Sequence, residues 1–189
     1  MNEIDFVRSY IKDHCVLHGE FESPFPGKPY DWIIQPRKAL MNPEVCFIIV
    51  TTMLKRLAGM DPQFNFQICT PEESPLGAAL SLSARYLNMP VNVVLCKKEI
   101  DPYGALNQFE GDLQDKTTVI IDEMSNSGKS MKHCFDSLNA EGIYPAAIAM
   151  SVISKKNGRG TNDIYLPKEM TVLSLFNLDD FDLTLGKRK

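Results

Sequence analysis

Two adjacent acids at the end of an apolar run, followed closely by a serine- and glycine-containing turn, form the most chemically loaded stretch of this 189-residue chain. The stretch reads Thr118-Val119-Ile120-Ile121-Asp122-Glu123-Met124-Ser125-Asn126-Ser127-Gly128-Lys129-Ser130. Its first part predicts a buried strand, and a helix is expected to open at Gly128-Lys129-Ser130. A helix N-terminus presents backbone N–H groups without partners and the positive end of the helix dipole, so it suits a phosphate. Ser125, Asn126, Ser127, Lys129 and Ser130 add polar groups around that point, and Gly128 lets the backbone come close. Asp122 and Glu123 would repel a bare phosphate. They fit a ligand whose vicinal hydroxyls they accept, or one that brings a Mg²⁺ they help to hold. Acids and a phosphate cradle a few residues apart therefore point to a phosphorylated sugar.

Two other readings use the same residues. Gly128-Lys129-Ser130 ends like a nucleotide-binding P-loop, but the first glycine of G-x-x-x-x-G-K-S/T falls at Glu123, where a bulky acid would block the phosphates. A plainer reading is a capped helix after a buried strand, with solvated acids between them.

The elements that must carry this loop follow from the pattern of the whole chain. Ile4–His14 predicts a helix, and Trp32–Ile34 a short strand. Asn42-Pro43-Glu44 is a helix start, with an N-cap, a proline in the first turn and an acid near the positive dipole end; that helix is expected to run to about Leu57. Strands are predicted at Phe64–Cys69, Val91–Cys96, Thr117–Ile121, Ala146–Ile153 and Thr171–Phe176, with helices at Pro75–Leu87 and Lys129–Ala140. Alternating strands and helices imply a mainly parallel sheet covered on both faces, with ligands beyond the carboxyl ends of the strands. Lys97 and Lys98 follow such a strand and are candidate phosphate partners.

Composition narrows the class. Apolar residues make up 44% and charged residues 23%, as in ordinary globular proteins. A net charge of −4 argues against a surface built for nucleic acid or anionic membrane. No signal or transit pattern and no membrane-length apolar run is present, which predicts a cytoplasmic protein. The five cysteines lack metal or disulfide spacing, and Cys46, Cys69 and Cys96 are expected to be buried thiols. His14, His18 and His133 are too dispersed to suggest a metal site.

Apolar strand, two acids, short stretch and Ser-Gly-Lys-Ser together resemble the phosphoribosyl diphosphate (PRPP) motif of the type I phosphoribosyltransferases. Further segments resemble the orotate phosphoribosyltransferase branch: Val16-Leu17-His18-Gly19-Glu20-Phe21 is similar to its opening V-L-x-F-G-E-F. Trp32–Arg37 stands in the place of its aromatic strand. Gln67-Ile68-Cys69 with the helix from Pro75 resembles its next strand-turn-helix, with Thr70 where the family has glycine. Lys97-Lys98-Glu99, Gly104 and Asn107–Gly111 resemble its catalytic loop, and Thr171–Phe181 its closing strand.

The resemblance implies an α/β, Rossmann-like type I phosphoribosyltransferase fold. Residues 1–189 would form one domain, with an N-terminal hood at 1–40 and a core at 41–189. It further implies transfer of the phosphoribosyl group of PRPP to orotate, giving orotidine 5′-monophosphate and diphosphate, with Mg²⁺ carried by PRPP rather than by the protein. The implied assembly is a homodimer in which the loop 98–111 reaches the neighbouring site. Asp122 and Glu123 would take the ribose hydroxyls, Ser125–Ser130 the 5′-phosphate, and Lys97 and Lys98 the diphosphate. Lys155 and Lys28 would lie on the base side.

Departures fall on the chemistry. The family's loop lysine and histidine align with Asp101 and Tyr103, and its early lysine falls near Pro24 or Phe25, with Lys28 the nearest cation. The turn after Cys69 carries Glu72 and Glu73 where an anionic ligand would approach. The family's orotate-side arginine falls near Lys155, and the first threonine of its phosphate loop at Asn126. Two alternatives therefore stand beside the orotate enzyme: a non-catalytic or regulatory protein that binds PRPP or a nucleotide, and a transferase for another base.

Overall fold

A computed structural model describes residues 2–22, 30–100, 107–155, 165–168 and 170–183. Six strands form the main sheet: β3 (Phe66–Pro71), β4 (Val93–Cys96), β5 (Phe109–Glu110), β6 (Thr117–Ser125), β7 (Pro145–Ser154) and β8 (Thr171–Asn177). Their spatial order is β5-β4-β3-β6-β7-β8. All neighbours run parallel except β5, which lies antiparallel on β4 through Leu95↔Glu110 and Cys96↔Phe109. The expected parallel sheet is present. The short β5 is not among the strands the sequence predicts, because two residues are too few to set a hydrophobic period.

Strand alternation sorts the core into two layers. Ile68, Val119, Ile121, Met150 and Val152 face one side, against helices α1 (Glu3–His14), α3 (Pro43–Met60) and α4 (Leu76–Tyr86). Cys69, Val94, Cys96, Ile120 and Ala149 face the other, against Met131, Cys134 and Leu138 of α5 (Lys129–Ala140). The sheet is thus covered by helices on both faces. Asn42 caps α3 as its sequence predicts, accepting from the N–H groups of Glu44 and Val45, each at 3.1 Å. Cys15, Cys69, Cys96 and Cys134 are buried thiols, whereas Cys46, in the first turn of α3, is only partly buried, against the expectation from its apolar surroundings in sequence.

The N-terminal segment makes its own antiparallel pair, β1 (Val16–Phe21) with β2 (Tyr30–Ile34). Sequence reasoning marks part of β2 but not β1, most of whose side chains are exposed and give no alternation. A further short helix, α2 (Pro36–Leu40), follows β2 and buries Ala39 and Leu40. Packing of α2 against β6 brings Arg37 to the end of the central strand.

Among the described residues, no helix is long and apolar enough to cross a membrane.

Candidate functional site

The central strand extends further than its apolar run suggests. Asp122, Glu123, Met124 and Ser125 all belong to β6, because β7 continues to pair with them through Asp122↔Ser151, Met124↔Ile153 and Ser125↔Ser154. The connection to α5 is therefore only Asn126-Ser127-Gly128. Gly128 caps the helix with φ of 77°, a left-handed conformation that glycine adopts without strain. Lys129 and Ser130 open the helix and are exposed, as is Asn126; Ser127 is partly buried and Gly128 buried. Among the described residues no side chain caps the helix, so its first N–H groups keep their capacity for an anion. The backbone carbonyl of Ser125 accepts from the Lys155 N–H at 2.8 Å, and that of Ser127 accepts from the Tyr165 N–H at 3.3 Å. The first of these bonds ties the turn to the residue that follows β7.

Successive residues of a strand leave on opposite faces, so the two acids have different surroundings. Asp122 is 9% exposed, and its carboxylate accepts from the Glu123 N–H at 2.7 Å. Burial pushes this carboxyl up to about 6; the Glu123 charge adds to the rise, while backbone N–H donors and Arg37 oppose it. Glu123 turns toward α2, where its Oε1 accepts from Arg37 Nε at 2.6 Å. Its other oxygen, Oε2, is buried with no hydrogen-bond partner among the described residues. Burial also raises the Glu123 carboxyl, with Arg37 pulling it back down. A cavity of about 380 Å³ opens beside this pair, lined by Gln35, Pro36, Arg37, Lys38, Glu123 and Met124. Sequence reasoning does not single out Arg37: its partner lies 86 residues away, and no local pattern joins them.

The remaining sequence-predicted cations lie at the neighbouring strand ends. Lys97 is nearly buried at the end of β4, and its ammonium lies 3.2 Å from Glu110 of β5. Its backbone carbonyl meets His133 Nε2 at 2.7 Å, which ties it to α5. Lys98 is well exposed, with Nζ 3.9 Å from Glu73. Glu73 also lies 3.8 Å from Arg37 Nη2, so of the two acids after β3 it is Glu73 that faces the site's cations. Lys155 follows β7, with its Nζ 5.9 Å from the centre of the Trp32 ring, and burial lowers its pKa. Trp32 is itself buried, as its size suggests. Lys28, Asp101 and Tyr103 lie outside the described residues.

A divalent cation has no protein cage here: among the described residues, no three His, Cys, Asp or Glu side chains could hold a metal together. The unpartnered Glu123 oxygen and the buried Asp122 fit a different task, accepting hydroxyl hydrogens or flanking a Mg²⁺ that a ligand supplies.

No family model matches the chain. In sequence it is similar to the orotate phosphoribosyltransferase of Thermococcus gammatolerans, at 23% identity over 156 residues, covering 82% of this chain and 80% of that one. In structure it superimposes on Mycobacterium tuberculosis orotate phosphoribosyltransferase with a TM-score of 0.73 at 15% identity, covering 96% of this chain and all of the other. The same enzyme in complex with PRPP gives a TM-score of 0.65 at 12% identity, with 95% and 91% of the two chains covered. The fold is the α/β type I phosphoribosyltransferase fold, and the sequence is similar to orotate phosphoribosyltransferases.

Proposed function

We propose that this chain is a phosphoribosyltransferase of the orotate type, acting on PRPP as one domain over residues 1–189, with residues 1–40 as a hood. The observation that carries the reading is the turn at Gly128, which sets the start of α5, without a side-chain cap among the described residues, three residues beyond β6, the strand that carries the buried Asp122 and the partly buried Glu123. The 5′-phosphate would lie on the turn Ser125–Ser130, held by the first N–H groups of α5 and by the hydroxyls of Ser127 and Ser130. Asp122 and the free oxygen of Glu123 would accept the ribose 2- and 3-hydroxyls. Lys155, and with it Lys28, would lie toward the base. Lys97 and Lys98 would approach the diphosphate, and the loop 98–111 would serve a neighbouring subunit in a cytoplasmic homodimer.

Transfer breaks the bond between ribose C1 and the diphosphate oxygen, the electron pair leaving with diphosphate, and forms a bond from C1 to a ring nitrogen of the base. Positive charge builds on the ribose as the bond breaks. Two carboxylates in a desolvated strand end stabilise that charge and hold the sugar by its hydroxyls. Mg²⁺ bound through the diphosphate would neutralise the leaving group.

One observation favours a second reading, a protein that binds PRPP or a nucleotide without turnover. Lys97 and Lys98 already face Glu110 and Glu73, and Asp101 and Tyr103 occupy the positions of the family's loop cations. A transfer assay separates the two. Protein, PRPP, Mg²⁺ and orotate are followed by loss of orotate absorbance, with uracil and purine bases in parallel. Turnover with orotate that is abolished by Asp122→Asn with Glu123→Gln supports the orotate enzyme, and turnover only with another base reassigns the acceptor. No turnover with any base, together with calorimetric binding of PRPP, overturns the enzyme in favour of the binding protein.

A further inference from the structure

Two cations beside this site, Arg37 and Lys98, converge on an acid of the chain's own. Glu73 lies in the turn after β3, beyond the carboxyl end of the sheet. One of its oxygens is 3.8 Å from Arg37 of α2, and the other is 3.9 Å from Lys98, which follows β4. Cations from two separate elements thus meet one exposed carboxylate. Both separations exceed hydrogen-bond length, so each is a loose ion pair through which solvent can compete. Arg37 does not depend on Glu73 for its position, because its Nε is bonded to Glu123 at 2.6 Å. Lys97 is engaged separately with Glu110. Glu72, the neighbouring acid, is also exposed, but no ion pair joins it to these cations among the described residues.

We infer that Glu73 is a specificity-determining residue: it stands beside both Arg37 and Lys98, so the diphosphate of PRPP binds there only by displacing it, which weakens the site's hold on the diphosphate relative to the sugar phosphate. The inference rests on reading the turn Ser125–Ser130 as the sugar-phosphate cradle. A carboxylate held between two cations cancels their attraction for another anion, and an incoming diphosphate must displace it against like-charge repulsion. A sugar phosphate at the start of α5 would have no such carboxylate to displace from between two cations.

Calorimetric titration of inorganic diphosphate and of ribose 5-phosphate into the full chain tests this, using wild type, Glu73→Gln and Glu72→Gln. Both variants remove one negative charge from adjacent exposed positions, and their folding is checked by circular dichroism. Glu73→Gln is expected to tighten diphosphate binding about fivefold, the upper end of what an exposed ion pair contributes. It should leave ribose 5-phosphate within about twofold of wild type, and Glu72→Gln should change diphosphate binding by no more than about twofold. Equal effects of the two variants would show that only net charge matters and would overturn the inference, as would diphosphate binding that is unchanged or undetectable in every protein. Absence of ribose 5-phosphate binding in all three would count against the cradle, while the diphosphate comparison would still decide the role of Glu73.

Discussion

Replacing Asp122 by asparagine should make the ligand-free protein more stable near neutral pH, at the expense of the function for which the carboxylate is kept. The carboxyl is nearly buried and its pKa rises from an ordinary value of 3.8 to about 6, chiefly through loss of hydration. A folded-state value above the unfolded one means that the folded protein holds an extra proton between these two pH values. Stability from this group is therefore present below pH 3.8 and is lost as pH rises through about 6. Above that, the wild type carries an ionised buried carboxylate. At about 1.4 kcal/mol per pH unit of displacement, the penalty is about 3 kcal/mol. Asparagine is neutral throughout, and its amide oxygen can keep the 2.7 Å bond from the Glu123 N–H. Urea denaturation should show Asp122→Asn about 3 kcal/mol more stable than wild type at about pH 8, with the gap closing toward zero near pH 4. Binding of ribose 5-phosphate at pH 8 should fall in the same variant. A variant less stable than wild type at pH 8, or a gap that does not change with pH, would refute the reasoning that desolvation dominates at this position.

Arg37→Gln removes the charged donor to Glu123 Oε1 from a half-buried carboxylate whose second oxygen already has no partner among the described residues. The Arg37 side chain is more than half exposed, so the stability loss should be only about 1 kcal/mol, while ribose 5-phosphate affinity drops roughly tenfold as Glu123 loses its orientation. Thermal melts and calorimetry measure the two effects separately. Gly128→Ala places a Cβ at a φ of 77°; it should cost about 1–2 kcal/mol in a denaturant titration and weaken 5′-phosphate binding by moving the first turn of α5.

Much of the scaffold was legible because it rests on local signals. The Asn-Pro-Glu start of α3, the Gly-Lys-Ser start of α5 and the apolar runs of β3, β6 and β7 each state their structure within a few residues. The far half of β6 was not legible in the same way. Asp122 and Glu123 look like loop residues, and only the ladder with Asp122↔Ser151 and Ser125↔Ser154 keeps them in the sheet. The pairings that give the site its electrostatics were equally invisible: Arg37 with Glu123, Arg37 and Lys98 with Glu73, and Lys97 with Glu110 all join elements that meet only in the folded chain. Glu72 and Glu73 look equivalent in sequence, and it takes the turn after β3 to present the second of them to the cations.

The sheet order gives the two ends of this site unequal lifetimes. Asp122 and the turn before α5 hang from β6, an interior strand with β3 on one side and β7 on the other. Amides of such a strand exchange with solvent deuterium only through openings that approach unfolding of the whole protein. Lys97 and Lys98 instead follow β4, whose outer neighbour is a ladder of just two residue pairs, Leu95↔Glu110 and Cys96↔Phe109. That edge can fray at small free energy without disturbing the interior strands. Deuterium uptake at 107–111 should run far ahead of uptake at 118–122, so Glu110 would release Lys97 many times within a single lifetime of the phosphate end.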